Sequence, residues 1–238
     1  MKLGIIGAMD VEVAVLKENM TDVAVHERTG MTFYEGKLDG MDAVVVQCGV
    51  GKVNAAMCTQ ILCACFGVSH IVNTGVAGSL CSDLDIGDLV ISRDAMYHDF
   101  DCSVINPNYC VGQVPGMSVL AYPADQLLMD AALASAEEQN PGHNRTGRVA
   151  SGDQFICGKD QKAYIIAHTG AICTEMEGAA IAHTAWRNGV PFVVIRAISD
   201  KADDSAEMDY PTFEAIAAKR CAAVTMGLVK QLKKTNTQ

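Results

Sequence analysis

The sequence predicts an α/β protein whose largely parallel or mixed sheet is covered by helices. Three observations carry this expectation. Strand-like and helix-like segments alternate from one end of the chain to the other. The strand segments are apolar on both faces, as strands lying between helices must be. No linker, low-complexity block or internal repeat divides the 238 residues, half of which are hydrophobic. All of 1–238 is therefore expected to form a single domain around one large core.

Residues 2–7 (KLGIIG) read as a buried first strand, and 10–20 as a helix with Val11, Val15 and Leu16 at helical spacing. Residues 32–38 and 42–48 are strand-like, and the Asp39-Gly40-Met41 between them signals a hairpin. Gly49-Val50-Gly51 leads into a helix over 52–66, and strands are expected at 69–74 and 88–93. A helix over 124–138 ends near Asn140-Pro141-Gly142. Strands follow around 147–151 and 171–174, then a helix from 177 to 188, a strong strand at 191–198 and a last helix over 211–233. Sheets of this kind place their sites at the carboxyl ends of strands. The informative residues are expected there: Ala8 to Glu12, Gly75 to Gly78, Ser151 to Ile156, Glu175 to Glu177, and Ser199-Asp200.

With 18 Lys and Arg against 28 Asp and Glu, the chain carries a formal charge of −10. That balance argues against nucleic acid or an anionic membrane as partner, since phosphate binding needs a basic footprint. Asp10 and Glu12 interrupt the first apolar run, so no secretory leader is expected. Val53 to Ser82 is free of formal charge but too often broken by polar residues to span a membrane. The ten cysteines form no CxxC pair and mostly sit in apolar segments. They read as small buried hydrophobes in a reducing, cytoplasmic setting.

Several signatures fail. Gly51-Lys52 is followed by Val53 and preceded by no Gly at 46, so there is no phosphate-binding P-loop. No GxGxxG follows the first strand, and neither HExxH nor GxSxG occurs. Tyr97-His98-Asp99-Phe100-Asp101 offers three metal-ligating side chains, but a structural role is the better reading.

Of the residues that remain, each has a competing bland reading. Glu12 is either a first-turn acid that suits a helix N-terminus or a functional carboxylate. Glu175-Met176-Glu177 opens a helix; an acid there suits the helix dipole, or takes two hydrogen bonds from a vicinal diol with Met176 against a sugar face. Arg196 sits in the apolar run VVIRAI and must be paired, most simply with a Glu. Ser199-Asp200 is a cap or carries a general acid. Phe155 is a core residue or stacks on a planar base. Together they give several acids, one buried Arg and no nucleophilic triad. That set suits acid–base cleavage through an oxocarbenium-like state.

At these residues the chain resembles the methylthioadenosine/S-adenosylhomocysteine nucleosidases of the purine nucleoside phosphorylase superfamily. The likeness runs nearly end to end, through GIIGAMDVEV, GVGKVNAA (49–56), NTGVAG (73–78), GD (87–88), YHD (97–99), SGDQFI (151–156), EMEGAAIAH (175–183) and RAISD (196–200). It implies a three-layer sandwich around a central mixed β-sheet, like other nucleoside phosphorylases and hydrolases. By resemblance, Asp200 protonates adenine N7 and Glu12 deprotonates the water that attacks C1′. Glu177 holds the ribose hydroxyls, Met176 lies against the sugar, Phe155 stacks on the base and the backbone of Ile156 reads its edge. Arg196 and Ser199 support the acids, and Met9, Val76, Ala77, Gly78 and Glu175 complete the substrate contacts. The resemblance further implies a homodimer whose sites borrow residues from the partner, and neither a metal nor an organic cofactor.

Two departures stand out. The family loop usually reads NTGSAG, so Val76 removes a hydroxyl near the catalytic acid. The segment CSVINPNYCVG (102–112) differs in length and lacks the usual Phe-Gly-Tyr of a region that helps form the 5′ pocket across the dimer. The expected activity is hydrolysis of 5′-methylthioadenosine, S-adenosylhomocysteine and related 5′-substituted adenosines to release adenine. The alternatives are a phosphorylase on the same fold and a non-catalytic nucleoside-binding protein. A phosphorylase needs cationic side chains for its anion, and residues 73–78 have none.

Overall fold

A computed structural model describes residues 1–235. Its first half is a run of strands interrupted by two helices: β1 (Lys2–Gly7), α1 (Asp10–Glu18), β2 (Met20–Arg28), β3 (Met31–Leu38), β4 (Met41–Gln47), α2 (Lys52–Phe66), β5 (His70–Ser79) and β6 (Leu89–Tyr97). The second half alternates: β7 (Tyr122–Pro123), α3 (Gln126–Gln139), β8 (Asn144–Ser151), α4 (Lys159–Thr169), β9 (Cys173–Glu175), α5 (Gly178–Asn188), β10 (Phe192–Asp200) and α6 (Ala206–Thr235).

Strand chemistry explains the layers. In β4, Ala43 and Val45 pack into the cluster shared with α1, α3 and α6. Val44 and Val46 point the other way, into the cluster shared with α2 and α5. Successive side chains alternate faces, so a strand buried on both sides must be apolar throughout. Leu3 and Ile5 against Ile6 divide β1 in the same manner. The result is the expected three-layer sandwich around a mixed sheet. Helix α2 occupies the residues read for it, with Ala55, Cys58, Thr59 and Leu62 buried along one stripe. Gly67 closes it in the left-handed conformation. The hairpin at Asp39-Gly40 has φ of 48° and 79°, the paired positive values a two-residue turn demands.

The sheet runs β10-β6-β8-β9-β5-β1-β4-β3-β2, and β10 also pairs with β5. Strands β5, β10, β6, β8 and β9 therefore close a ring, from which β1, β4, β3 and β2 extend as an open wing. β1 lies parallel to both β4 and β5, and β10 parallel to β5, whereas β10 meets β6 antiparallel.

The structure corrects several expected boundaries. β5 continues to Ser79 and β10 to Asp200, so Gly75–Gly78 and Ser199-Asp200 lie within strands rather than after them. Their backbones are held by the ring, where the sequence suggested loops. α6 starts at Ala206 instead of 211 and carries Pro211 inside it. Strands β2 and β7 and helix α4 were not expected at all. The terminal residues 236–238 of the expected domain lie outside the described residues.

Candidate active site

Four elements end around one cleft. β1 delivers Ala8 and Met9 to the start of α1, which places Glu12 one turn further on. β5 supplies Val76, Ala77 and Gly78, and β10 supplies Ser199 and Asp200. β9 and the turn into α5 supply Glu175, Met176 and Glu177. The loop after β8 adds Phe155 and Ile156. These residues line a cleft of about 560 Å³ including its open mouth, within the usual size of a small-molecule site. Twelve of the thirteen residues expected at the site from sequence line it. The exception, Arg196, is buried beneath the lining, 2% exposed.

Glu12 is held at both of its carboxylate oxygens. Its Oε2 accepts from the N–H groups of Ala8 (2.7 Å) and Met9 (3.0 Å), which caps its own helix. Its Oε1 reaches across to the N–H of Val76 at 3.1 Å. Val76 thus serves Glu12 through its backbone, and a side-chain hydroxyl is not needed for that bond. Burial pushes the Glu12 carboxyl above its ordinary value, against the opposing pull of Arg196 and the three N–H donors. Gly75 makes room for this carboxylate: a Cβ there would collide with Glu12 Oε1.

Asp200 is aimed by a β-bulge. Ile198 pairs with Ala77 and Asp200 with Gly78, so Ser199 is an extra residue in β10. The Ser199 hydroxyl donates to Asp200 Oδ2 at 2.9 Å, and the Ala202 N–H donates to Oδ1 at 2.8 Å. Burial again raises the acid, with Asp209 and Asp203 adding to it while these two donors oppose it.

Glu175 and Glu177 divide into a support and a free face. Glu175 accepts from Arg196 Nη2, from Ser151 Oγ and from the N–H groups of Glu177 (3.1 Å) and Gly178 (2.8 Å). Both its oxygens are occupied, and its carboxylate is the ion-pair partner that Arg196 requires. Arg196 also donates to Asn73 Oδ1 at 2.6 Å. Among the described residues, Glu177 accepts only from the Gly51 N–H (2.8 Å) and lies 3.9 Å from Arg196 Nη2, leaving acceptor capacity toward the cleft. Desolvation first, then the neighbouring Glu175, raises its pKa.

The cleft contains residues that sequence reasoning missed. Tyr210 of α6 meets Phe155 edge-on, ring centres 5.4 Å apart, and its hydroxyl approaches Met9 Sδ (3.3 Å) and Glu214 (3.1 Å). Val50 and Thr174 also line the cleft, together with Ala8 and Gln154 from the segments expected at strand ends. The Thr174 hydroxyl is buried without a hydrogen-bond partner among the described residues. Val50 belongs to the Gly49-Val50-Gly51 turn, whereas neither Tyr210 nor Thr174 sits in a pattern with chemical meaning. The segment 102–112 does not line the cleft; it leaves Val104 and Ile105 96% and 83% exposed. Among the described residues, no group of His, Cys, Asp and Glu is arranged to hold a metal.

The chain is similar to known proteins over nearly its whole length. Residues 2–230 match the model of the phosphorylase superfamily. A 5′-methylthioadenosine/S-adenosylhomocysteine nucleosidase of Oceanobacillus iheyensis is 40% identical over 233 residues, 98% of this chain and 100% of that protein. The structure superposes on the corresponding nucleosidase of Colwellia psychrerythraea, solved in complex with adenine, with a TM-score of 0.93 at 39% identity, covering 98% and 96% of the two chains. It is also similar to futalosine hydrolase of Helicobacter pylori, with a TM-score of 0.91 at 32% identity over 97% and 98%.

Proposed function

The chain belongs to the phosphorylase superfamily and, within it, to the 5′-methylthioadenosine/S-adenosylhomocysteine nucleosidases, and from that premise we propose how its cleft works. It is a hydrolase of the N-glycosidic bond of 5′-substituted adenosines. The adenine ring lies against Phe155 and along the backbone of Ile156, with N7 at Asp200. The ribose diol donates to Glu177, with Met176 on the sugar face. Glu12 holds water below C1′.

Cleavage then needs two proton movements. Asp200 gives its proton to N7, so the electron pair of the breaking C1′–N9 bond flows into a neutral base. Water adds its oxygen to the oxocarbenium-like C1′ while Glu12 accepts its proton. The products are adenine and a free 5-substituted ribose. The observation that carries this reading is the convergence of three buried carboxylates, each raised by desolvation, on one cleft. A raised acid keeps its proton for the leaving group, and a raised base is strong enough to take one from water.

Among the described residues no Lys or Arg lines the cleft, and the buried guanidinium of Arg196 is held by Glu175 and Asn73. This favours water over phosphate as nucleophile. We further read the protein as a single domain and a cytoplasmic enzyme of methionine salvage that acts without nucleic acid or membrane. In that reading it is a homodimer whose second copy completes the 5′ end of the cleft. Support for the dimer comes from Val50, Val53 and Met57, a strip 40–71% exposed that starts at the rim of the cleft.

The test is product analysis on a panel of adenosines with methylthio, homocysteinyl and hydrogen 5′ groups, with and without phosphate. Adenine and free sugar at a phosphate-independent rate are expected. A sugar 1-phosphate would move the chain to the phosphorylases, and tight binding without turnover would make it a nucleoside-binding protein.

A further inference from the structure

Three residues without an assigned role, Lys52, Asp99 and Asp153, meet behind the base side of the cleft, carried by the segments Gly51-Lys52, Tyr97-His98-Asp99 and Ser151-Gly152-Asp153. Lys52 Nζ lies 2.6 Å from Asp99 Oδ2. The same oxygen accepts the N–H of Asp153 at 2.9 Å. Asp153 in turn accepts the backbone N–H of Lys52 on Oδ1 at 2.8 Å, and its Oδ2 lies 3.7 Å from Lys52 Nζ. Lys52 and Asp99 are mostly shielded, with side chains 23% and 15% exposed. Gly152 permits the approach, since a Cβ there would run into the His98 ring and the Asp99 carboxyl.

The position of this knot matters. The backbone of residues 154–157, which includes Phe155 and Ile156, makes no hydrogen bond within the described residues. Gly158 is the next residue tied, through its carbonyl to the N–H of Lys162. Asp153 is therefore the last anchor before the base-stacking ring. The neighbouring N–H, that of Gly51, is given to Glu177 instead. One helix start thus contacts the base side and the ribose side through separate bonds.

We propose that Asp99 and Lys52 are positioning residues that clasp Asp153 and so hold Phe155 and Ile156 in register to receive the adenine ring. The inference rests on the base site assigned above. Neither residue lines the cleft, so they act through the loop and not on the reacting atoms.

The experiment uses the full chain with Asp99→Asn and Lys52→Met, each checked for fold by circular dichroism and melting. Asp99→Asn keeps an acceptor for the Asp153 N–H but ends the ion pair. Lys52→Met keeps the stem and removes the charge, and carries the test alone if the first variant does not fold. KM for 5′-methylthioadenosine is expected to rise about tenfold while kcat stays within about threefold, the signature of lost binding shared by ground and transition states. Inhibition by free adenine is expected to weaken by the same factor, and that by 5-methylthioribose by less than about twofold. Unchanged adenine inhibition, or equal weakening for adenine and sugar, would overturn the clasp. Adenine titration by calorimetry reads the clasp independently of turnover. Failure of the wild-type enzyme to release adenine would therefore count against the proposed function alone.

Discussion

A single buried carboxylate makes the sharpest test of the mechanism. Asp200 receives two hydrogen bonds that an asparagine can also satisfy, its Oδ1 accepting from Ala202 and its amide donating to Ser199 Oγ. Asp200→Asn should therefore fold, yet lack the proton for N7, with kcat/KM lowered about 10²–10⁴-fold. Its stability should move the other way. A carboxyl whose folded pKa is raised adds stability below its unfolded value, and loses that contribution as pH rises through the folded value. Above that point the wild type carries a buried charge that the variant lacks. Melting of Asp200→Asn is expected to be higher by about 2–4 °C for each ~1 kcal/mol relieved. The gap should be widest at pH 7–8 and close toward pH 4. A variant less stable at pH 8, measured by calorimetry, would show that the carboxylate is not strained by burial. Much of this was legible in residue type alone: an acid after VVIRAI, a Phe after a polar turn, a buried Arg needing a Glu. Which Glu pairs with Arg196 was not, because Glu175 and Glu177 differ only in direction along the chain. The structure separates them, one occupied by four donors and one open to the cleft.

The bulge in β10 shows what an element contributes. One surplus residue lets the strand stay paired to β5 while Asp200 turns into the cleft, and the surplus residue brings the hydroxyl that bonds the acid. That hydrogen bond favours the charged form and holds the pKa of Asp200 down against burial. Ser199→Ala should release it upward, so Asp200 keeps its proton to higher pH. The alkaline limb of the kcat/KM profile is then expected to shift upward by about half a unit, with the acid limb, set by Glu12, unmoved. A downward shift would contradict the assignment of Asp200 as the acid. Elements were legible where burial was two-sided or striped, as in β1, β4 and α2. β2 (MTDVAVHER) escaped because only Met20 is buried, and α4 because Ile165 and Thr169 alone mark its inner face. β5 and β10 read short because Gly75, Gly78, Ser199 and Asp200 look like turn residues. Their strand conformation is imposed by the ring, and no local preference announces it. Tyr210 was hidden for a related reason: it belongs to the first turns of a long helix and reaches the cleft only through tertiary packing.

At the scale of the whole molecule the question is how the cleft is finished. A copy with charge −10 repels another, so association needs an apolar face. Val53, 71% exposed on the first turn of α2, is the most exposed of the strip beside the cleft. Sedimentation is expected to give a dimer for the wild type. Val53→Asp should shift it toward monomer and lower kcat/KM for 5′-methylthioadenosine by tenfold or more, while circular dichroism stays the same. A fully active monomer would show that one chain is sufficient.

The closed ring has a last consequence, for how the protein opens. A strand at a sheet margin can peel away by itself, and β2 is such a margin, broken by a bulge between Thr21 and Ala24 with Asp22 at a φ of 54°. β5 and β10 have partners on both sides and no margin to peel from. Their amides can meet deuterium only when the whole ring parts, whereas those of β2 can exchange through local fraying. Asp200 on β10 and the Val76 N–H on β5 that holds Glu12 are therefore expected in the slowest-exchanging region of the molecule, and loosening of the outer wing leaves them in place.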